Sequence, residues 1–411
     1  MDAKNLLGDM QLAARNVLRH RRRALFALVI IVGGIVSFLL AGGFIQWLLI
    51  SMRESTIHSQ LGHIQVVRPG YYEVGISDPY AFLLPPGTEA EDAVRKAPGV
   101  VAVTPRLSLT GLVSMGDSTV SFIGDGVDPE GEKDLSTSIR IARGENLSAD
   151  DPRGIIMGAG LAANIGVKVG DKLVLMTSTA KGGMNASDVT VRGIFISTAK
   201  AYDDAALRVP IALARKLVKV DGSTSWVVLL DDTARTDATL TALSGRMDPK
   251  EFQLVPWRDL ADFYNKTVTL FSKQVLVVKI LIAAIIVLSI SNTMSMAVIE
   301  RTGEIGTAMA LGVRRLGVLR QFVLEGLVLG FVGGMTGALL GWLLSLAISA
   351  VGIPMPPPPG MDQGFDAEIL VTADLAFDAW FLAVVTTLLA SLFPAWKASR
   401  MVIVDALRHQ R

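Results

Sequence analysis

The residues best suited to chemistry lie in one short run. From Glu300 the chain reads ERTGEIGTAMALGVRRLGVLRQFVLEG. Glu300, Arg301 and Glu304 place mixed charge at its start, and Ile305, Met309 and Leu311 follow as an apolar set. Gly312 then breaks the helix before Arg314 and Arg315 restart it. Ion pairs from such a helix would set register on a partner, and the apolar residues would supply burial. That is docking chemistry, not catalysis. The chain has no cysteine, which removes zinc-thiolate sites, iron–sulfur clusters, thiol catalysis and disulfides. It has neither a GxxxxGK[ST] phosphate loop nor a GxSxG elbow, and its histidines (His20, His58, His63, His409) show no acidic pair nearby in sequence. No metal, catalytic or cofactor-binding set is expected.

The elements that must position this run are membrane spans. Of 411 residues, 51% are hydrophobic and 19% charged, with a mean hydropathy of +0.46. Four stretches are long and apolar enough to cross a bilayer: 24–50, 275–298, 322–351 and 375–394. Lys279, Glu325 and Asp378 are the charges within them. Between the first and second lies an insert, 51–274, which alternates β-type runs (HIQVV, LVLMT, WVVLL) with short amphipathic helices. The expected fold class is therefore α+β: four transmembrane helices with a large mixed α/β domain inserted between the first and second. A Gly-, Asp-, Glu- and Pro-rich stretch at 125–151 is the expected seam between two subdomains.

The overall charge of +1 hides an asymmetry. Segments 1–23, 299–320 and 396–411 together carry a net +9, whereas the insert carries −3 and segment 352–374 has four acidic residues and no basic one. By the positive-inside rule, both termini and the Glu300 helix lie in the cytoplasm, and the insert and the 352–374 loop lie outside. The balance also argues against nucleic acid as a partner. In segment 1–23, Leu7, Met10, Ala14, Val17 and Leu18 line one helical face opposite Arg15, Arg19 and Arg22, the pattern of a cytoplasmic helix in the lipid interface or of one packed on a protein partner.

Within the third span, Gly333, Gly337 and Gly341 recur every four residues, a ridge suited to close helix packing. Glu325 is a carboxylate just inside the same span, expected to snorkel or to pair with a cation such as Arg320. The polar run Ser289, Ser291, Asn292, Thr293 and Ser295 should link helices, and Pro356–Pro359 should form a rigid spacer.

ERTGEIGTAMALG resembles the ERTREIG…ALG signature of ABC transporter permeases of the FtsX/MacB/LolC–LolE type. The tail FPAWKASRMVIVDALR is similar to that family's ending, with Ile403 where proline is usual, and GLAANIGVKVGDKLVL resembles part of its external domain. The resemblance implies a multi-pass protein of the bacterial inner membrane that hydrolyses no ATP itself. A separate cytoplasmic ATPase dimer would bind ATP and Mg, and a second permease chain, identical or paralogous, would pair with this one. Glu300, Arg301, Glu304 and Gly312 would carry the ATPase contact, with glycine at 303 where arginine is common. Cargo would be lipoprotein or another lipidic molecule, driven from the outer leaflet to a periplasmic carrier. Ser178–Asp188, with Met184 its one large apolar residue, stands at the position of a loop that meets a periplasmic carrier or adaptor in that branch; it lacks the proline-bearing tip expected there, and a flexible hairpin with no partner is the alternative. MacB-like export of peptides, toxins or drugs and FtsX-like activation of a cell-wall hydrolase are the alternatives the same resemblance allows.

Overall fold

The computed structural model describes residues 13, 15, 16, 19, 21–197, 200–356 and 364–402. The interfacial helix expected over 1–23, most of the tetraproline and the end of the tail fall largely outside them. The chain forms two compact units, one of long helices and one built on Ile50–Thr267. Four helices are long and apolar enough to cross a membrane. The first, α1 (Arg21–Thr56), has 36 residues. At 1.5 Å per residue it is about 54 Å long, against about 30 Å of hydrocarbon. A π-helical turn, Ile57–Leu61, follows it directly.

The inserted domain is organised on one ten-stranded mixed sheet. Its strands are β1 (Ile64–Val67), β2 (Val100–Met115), β3 (Ser118–Val127), β4 (Arg140–Gly144), β5 (Gly154–Gly158), β6 (Lys172–Ser178), β7 (Met184–Ile196), β8 (Ala206–Pro210), β9 (Ser225–Leu230) and β10 (Gln253–Pro256). They run in the order β10-β1-β9-β2-β3-β8-β5-β7-β4, with β6 pairing β2 and β7. β3 with β8 and β5 with β7 are parallel, and the other pairs are antiparallel. β9 lies between β1 and β2, and all six of its residues are buried, so WVVLL reads as a continuous apolar run. β6 instead alternates, turning Leu173 and Leu175 inward. The helices on the sheet are α2 (Glu89–Arg95), α3 (Glu132–Leu135), α4 (Ala159–Ile165), α5 (Ile211–Val218) and α6 (Thr236–Ser244). Thr88 caps α2, its hydroxyl accepting the Glu91 N–H at 3.3 Å.

The two larger hydrophobic clusters of this domain meet along β2. One gathers Leu107, Phe122, Leu161, Val191, Leu207 and Leu217. The other gathers Ile64, Leu84, Val103, Trp226, Leu230 and Leu243. β2 runs through both, passing from one at Val103 to the other at Leu107. Segment 125–151 holds the end of β3, α3 and β4, all integrated with the sheet. Its residues pack into two different clusters, Leu135 with Val227 and Leu229, and Val127 and Leu147 with Ile156 and Phe195, while the sixteen-residue β2 serves both larger clusters without interruption.

In the helical unit, α7 (Asp262–Glu300), α8 (Thr302–Ala310), α9 (Arg315–Val351) and α10 (Ala373–Ser399) follow. The helices therefore exceed the apolar segments read as spans at most of their ends, since helix continues into polar sequence wherever backbone hydrogen bonding persists. Six glycines of α9 form two stripes. On one face, a Cβ at Gly333, Gly337 or Gly341 would meet Ile31 at 2.8 Å, Ile35 at 2.8 Å and Leu39 at 2.7 Å, all on α1. On another, a Cβ at Gly326 or Gly334 would lie 2.6 Å from Ser391 and 3.0 Å from Ala383 on α10, and one at Gly330 would overlap Thr387. α9 is thus the smooth helix that two neighbours approach. Lys279 of α7 pairs with Asp378 of α10 at 3.2 Å and lies 5.9 Å from the Phe38 ring of α1, so these two intramembrane charges match each other.

Candidate partner-docking site

The Glu300 run folds as a hinge. α7 ends at Glu300, and Arg301 takes a non-helical conformation before α8 begins at Thr302. Thr302 bonds back to the carbonyls of Val298 and Ile299 at 3.1 and 2.7 Å, drawing the chain around the corner. α8 ends in a Schellman arrangement. Gly312 N–H donates to Met309 O and Val313 N–H to Ala308 O, both at 3.1 Å. Gly312 has φ +97°, and a Cβ there would meet nothing, so its requirement is the backbone conformation and not space. The sequence-level expectation of a helix stop is what this glycine provides.

The charged residues of the run point in opposite directions. Arg301 turns into the bundle, where its Nη1 lies 3.0 and 3.3 Å from the two Glu325 oxygens. The pair is buried, with side chains 13% and 7% exposed. Phe322 faces the guanidinium at 5.4 Å, and Asn16 donates its Nδ2–H to Glu325 Oε1 at 3.0 Å. Glu300 pairs with Arg23. The partner of Glu325 is therefore Arg301, from the hinge, and not Arg320 of its own helix. Arg320 precedes Glu325 by five residues, which places the two off a common helical face. A cavity of about 50 Å³ lies beside the pair, lined by Asn16, Arg23, Thr293, Arg301 and Glu325.

The apolar residues divide likewise. Ile305 and Met309 are buried in the bundle core, so the expectation that they face a partner is corrected. Four residues apart, they occupy one face of α8, and that face is spent inside the chain. The outward surface is Glu304, Thr307, Leu311 and the corner that follows, including Val313, Arg314, Arg315 and Leu316. Leu311 is 83% exposed and Leu316 73%. Two large exposed leucines, with basic residues and one carboxylate close in sequence, are the candidate docking surface. Leu316 lies beyond the Gly312 turn, at the start of α9, and was not singled out from sequence.

In the inserted domain, β6 and β7 pair as far as Ser178 with Met184, so the stretch expected as a loop is a tight turn over 179–183 followed by strand. Met184 is 70% exposed on β7. Where α1 enters this domain, two histidines do have an acidic neighbour. Glu54 lies one turn before His58, with 3.8 Å between Oε2 and Nε2. His63 Nδ1 accepts the Leu230 N–H at 3.0 Å, and its Nε2 lies 3.0 Å from Thr233 Oγ1, which donates to Glu54. Burial above all, and then neighbouring His58, hold His63 down at about 4, against the opposing pull of Glu54.

Beside it sits a buried charge network absent from the sequence reading. Arg106 of β2 donates to both Glu132 oxygens, at 2.7 and 2.9 Å, and Arg208 of β8 reaches Glu132 Oε2 at 3.3 Å. Burial alone would raise Glu132, but the two guanidiniums outweigh it and hold the carboxyl at about 2. An arginine within the otherwise apolar ALRVP strand is the one sequence signal that could have flagged this network.

The chain is similar to known proteins along nearly its whole length. Residues 24–246 match the MacB-like periplasmic core domain and residues 276–403 the FtsX-like permease C-terminal model. Over 336 residues it is 22% identical to the lipoprotein-releasing system transmembrane protein LolE of Haemophilus influenzae, covering 76% of this chain and 78% of that protein. It is 26% identical over 280 residues to LolC of Xylella fastidiosa, covering 62% and 65%. It is 29% identical over 163 residues to the macrolide export ATP-binding/permease protein MacB of Syntrophobacter fumaroxidans, covering 40% and 21%. The chain thus matches just under two thirds of the LolC relative and about a fifth of that MacB relative.

Proposed function

Because this chain belongs to the family of ABC transporter permeases that join a MacB-like periplasmic core domain to an FtsX-like permease C-terminal half, we propose that it is the membrane subunit of an ATP-driven mechanotransmitting transporter. Its cargo is a lipoprotein or another lipidic molecule, moved from the outer leaflet of the inner membrane toward a periplasmic carrier. The observation that carries this reading is the two-sided Glu300 run: Arg301 is locked to Glu325 inside the bundle, and Leu311, Leu316 and Glu304 are left outward. A separate ATPase dimer docks on that outward corner, binding ATP and Mg itself. The net +9 of segments 1–23, 299–320 and 396–411 supports a cytoplasmic position for the corner and both termini. A second permease chain completes the complex.

Lipidic cargo is favoured by the likeness to LolE and LolC, which extends over 76% and 62% of the chain. The MacB likeness supports a second reading, export of a peptide, toxin or drug through an outer-membrane partner. Photo-crosslinkers at the outer ends of the apolar runs of α1 and α7, followed by mass spectrometry of the trapped species, separate the two. Lipidated polypeptides or lipids support the first reading. Small amphiphiles support the second, and a captured cell-wall hydrolase would sink both.

A further inference from the structure

The short connection from α1 to the sheet is held by its main chain. Four successive carbonyls of the π-helical turn each accept from a group outside it. His58 O accepts the Ser138 N–H at 3.2 Å, Ser59 O accepts Arg208 Nη2–H at 2.7 Å, Gln60 O accepts Arg106 Nη1–H, and Leu61 O accepts Gln65 Nε2–H at 3.0 Å. A π-helical turn leaves its last carbonyls without helical partners, and here three side chains of the sheet and one backbone N–H take them. The two arginines are not independent. Glu132 binds both, Ser136 Oγ accepts from Arg208 at 2.7 Å, and Arg208 is 2% exposed.

The placement of the arginines is as specific as their contacts. Arg106 lies on β2 between Val103 of one core and Leu107 of the other, so it sits where the two lobes share a strand. Arg208 lies on β8, paired with β3 on one side and β5 on the other. One buried cluster therefore ties the turn that follows the first membrane helix to β2 and β8. Side-chain packing on a helix can slip by a rotamer. A guanidinium bonded to a main-chain carbonyl at one end and a buried carboxylate at the other has no such freedom.

We propose that Arg106 and Arg208, joined through Glu132, are positioning residues that grip the π-helical turn and pass displacement of α1 to the inserted domain. This rests on the ATP-driven reading above and names the joint through which the stroke is delivered. The alternative role is stabilisation of the domain alone. The two differ because a buried ionic triad can often be replaced by apolar residues without loss of stability, whereas such a replacement abolishes the grip on Ser59 and Gln60.

The chain has no cysteine, so spin labels at Lys181→Cys in the β6–β7 turn and Leu389→Cys on α10 report one distance in the full-length protein. That distance is measured in the complex with its ATPase, nucleotide-free and trapped with ATP and vanadate. The native background is expected to show a nucleotide-dependent change. The triple variant Arg106→Met/Glu132→Leu/Arg208→Met is expected to lose at least half of it while keeping its melting temperature and ATPase assembly. A folded triple variant that keeps the full change overturns the grip and leaves the transporter reading standing. No change in the native background overturns both. If the triple variant does not fold, Arg208→Lys decides. It keeps the cation beside Glu132 but loses the fork, and an undiminished distance change in it overturns the proposal.

Discussion

Arg301 at the α7–α8 hinge and Glu325 inside α9 form a buried ion pair, 3.0 Å at its shortest, that ties the candidate docking helix to the membrane bundle. Breaking such a pair from one side leaves a charge buried without its partner, at a cost of about 3–5 kcal/mol. Arg301→Met and Glu325→Gln should each lower the thermal unfolding midpoint in detergent clearly, and the double variant Arg301→Met/Glu325→Leu should recover much of the loss. Two single variants that sum without recovery would show that the residues do not act as a pair.

Exposure separates the two apolar sets of the hinge. Leu311→Asp or Leu316→Asp should leave folding intact, since both side chains are largely exposed, and should abolish co-purification with the ATPase. Ile305→Asp, buried in the bundle, should reduce the yield of folded protein by placing a charge in the core. Intact ATPase assembly in Leu311→Asp/Leu316→Asp removes the corner from consideration as the docking surface.

The two glycine stripes on α9 predict helix-specific defects. Gly337→Leu would drive a side chain into Ile35 of α1, and Gly330→Leu into Thr387 of α10. Overpacking of this kind costs about 1–3 kcal/mol where the helices can part slightly, and more where they cannot. Disulfide trapping between introduced cysteine pairs should slow at α1–α9 only for the first and at α9–α10 only for the second. Slowing at both interfaces in either variant would mean that the bundle yields as one body.

The inserted domain should lose stability in two separate acid windows. His63 is held at about 4, below the ordinary 6.5 of an unfolded histidine, so its contribution is full above pH 6.5 and declines as the pH falls through that value toward 4. Glu132 is held at about 2 against 4.5, so its contribution is full above pH 4.5 and declines as the pH falls toward 2. Chemical unfolding at pH 7, 5.5 and 4 should show a first decline that His63→Gln removes. A decline between pH 7 and 5.5 that survives in His63→Gln would assign it to another group.

Several features of this protein were determined by sequence alone, because they depend on local composition. The four long apolar helices follow from runs too apolar to remain in water, and the orientation proposed for them rests on where lysine and arginine gather. The strands around Val66, Leu175 and Val228 follow from short apolar runs rich in valine and leucine, and the Gly312 stop from the one residue that takes φ +97° freely. The run ERTGEIGTAMALG was legible as a candidate docking element for the same reason. Only the tertiary structure decided which of its residues face inward. Ile305 and Leu311 are both apolar, and Arg301 and Glu304 both charged, so composition cannot tell the buried member of each pair from the exposed one. Glu325 selects Arg301, and the bundle core selects Ile305, through contacts between helices distant in sequence. The Arg106–Glu132–Arg208 network lay beyond sequence reading for that reason in stronger form. Its members come from two strands and a one-turn helix, and only a folded sheet can hold two guanidiniums and one carboxylate where they neutralise each other and close on the carbonyls of the turn after α1.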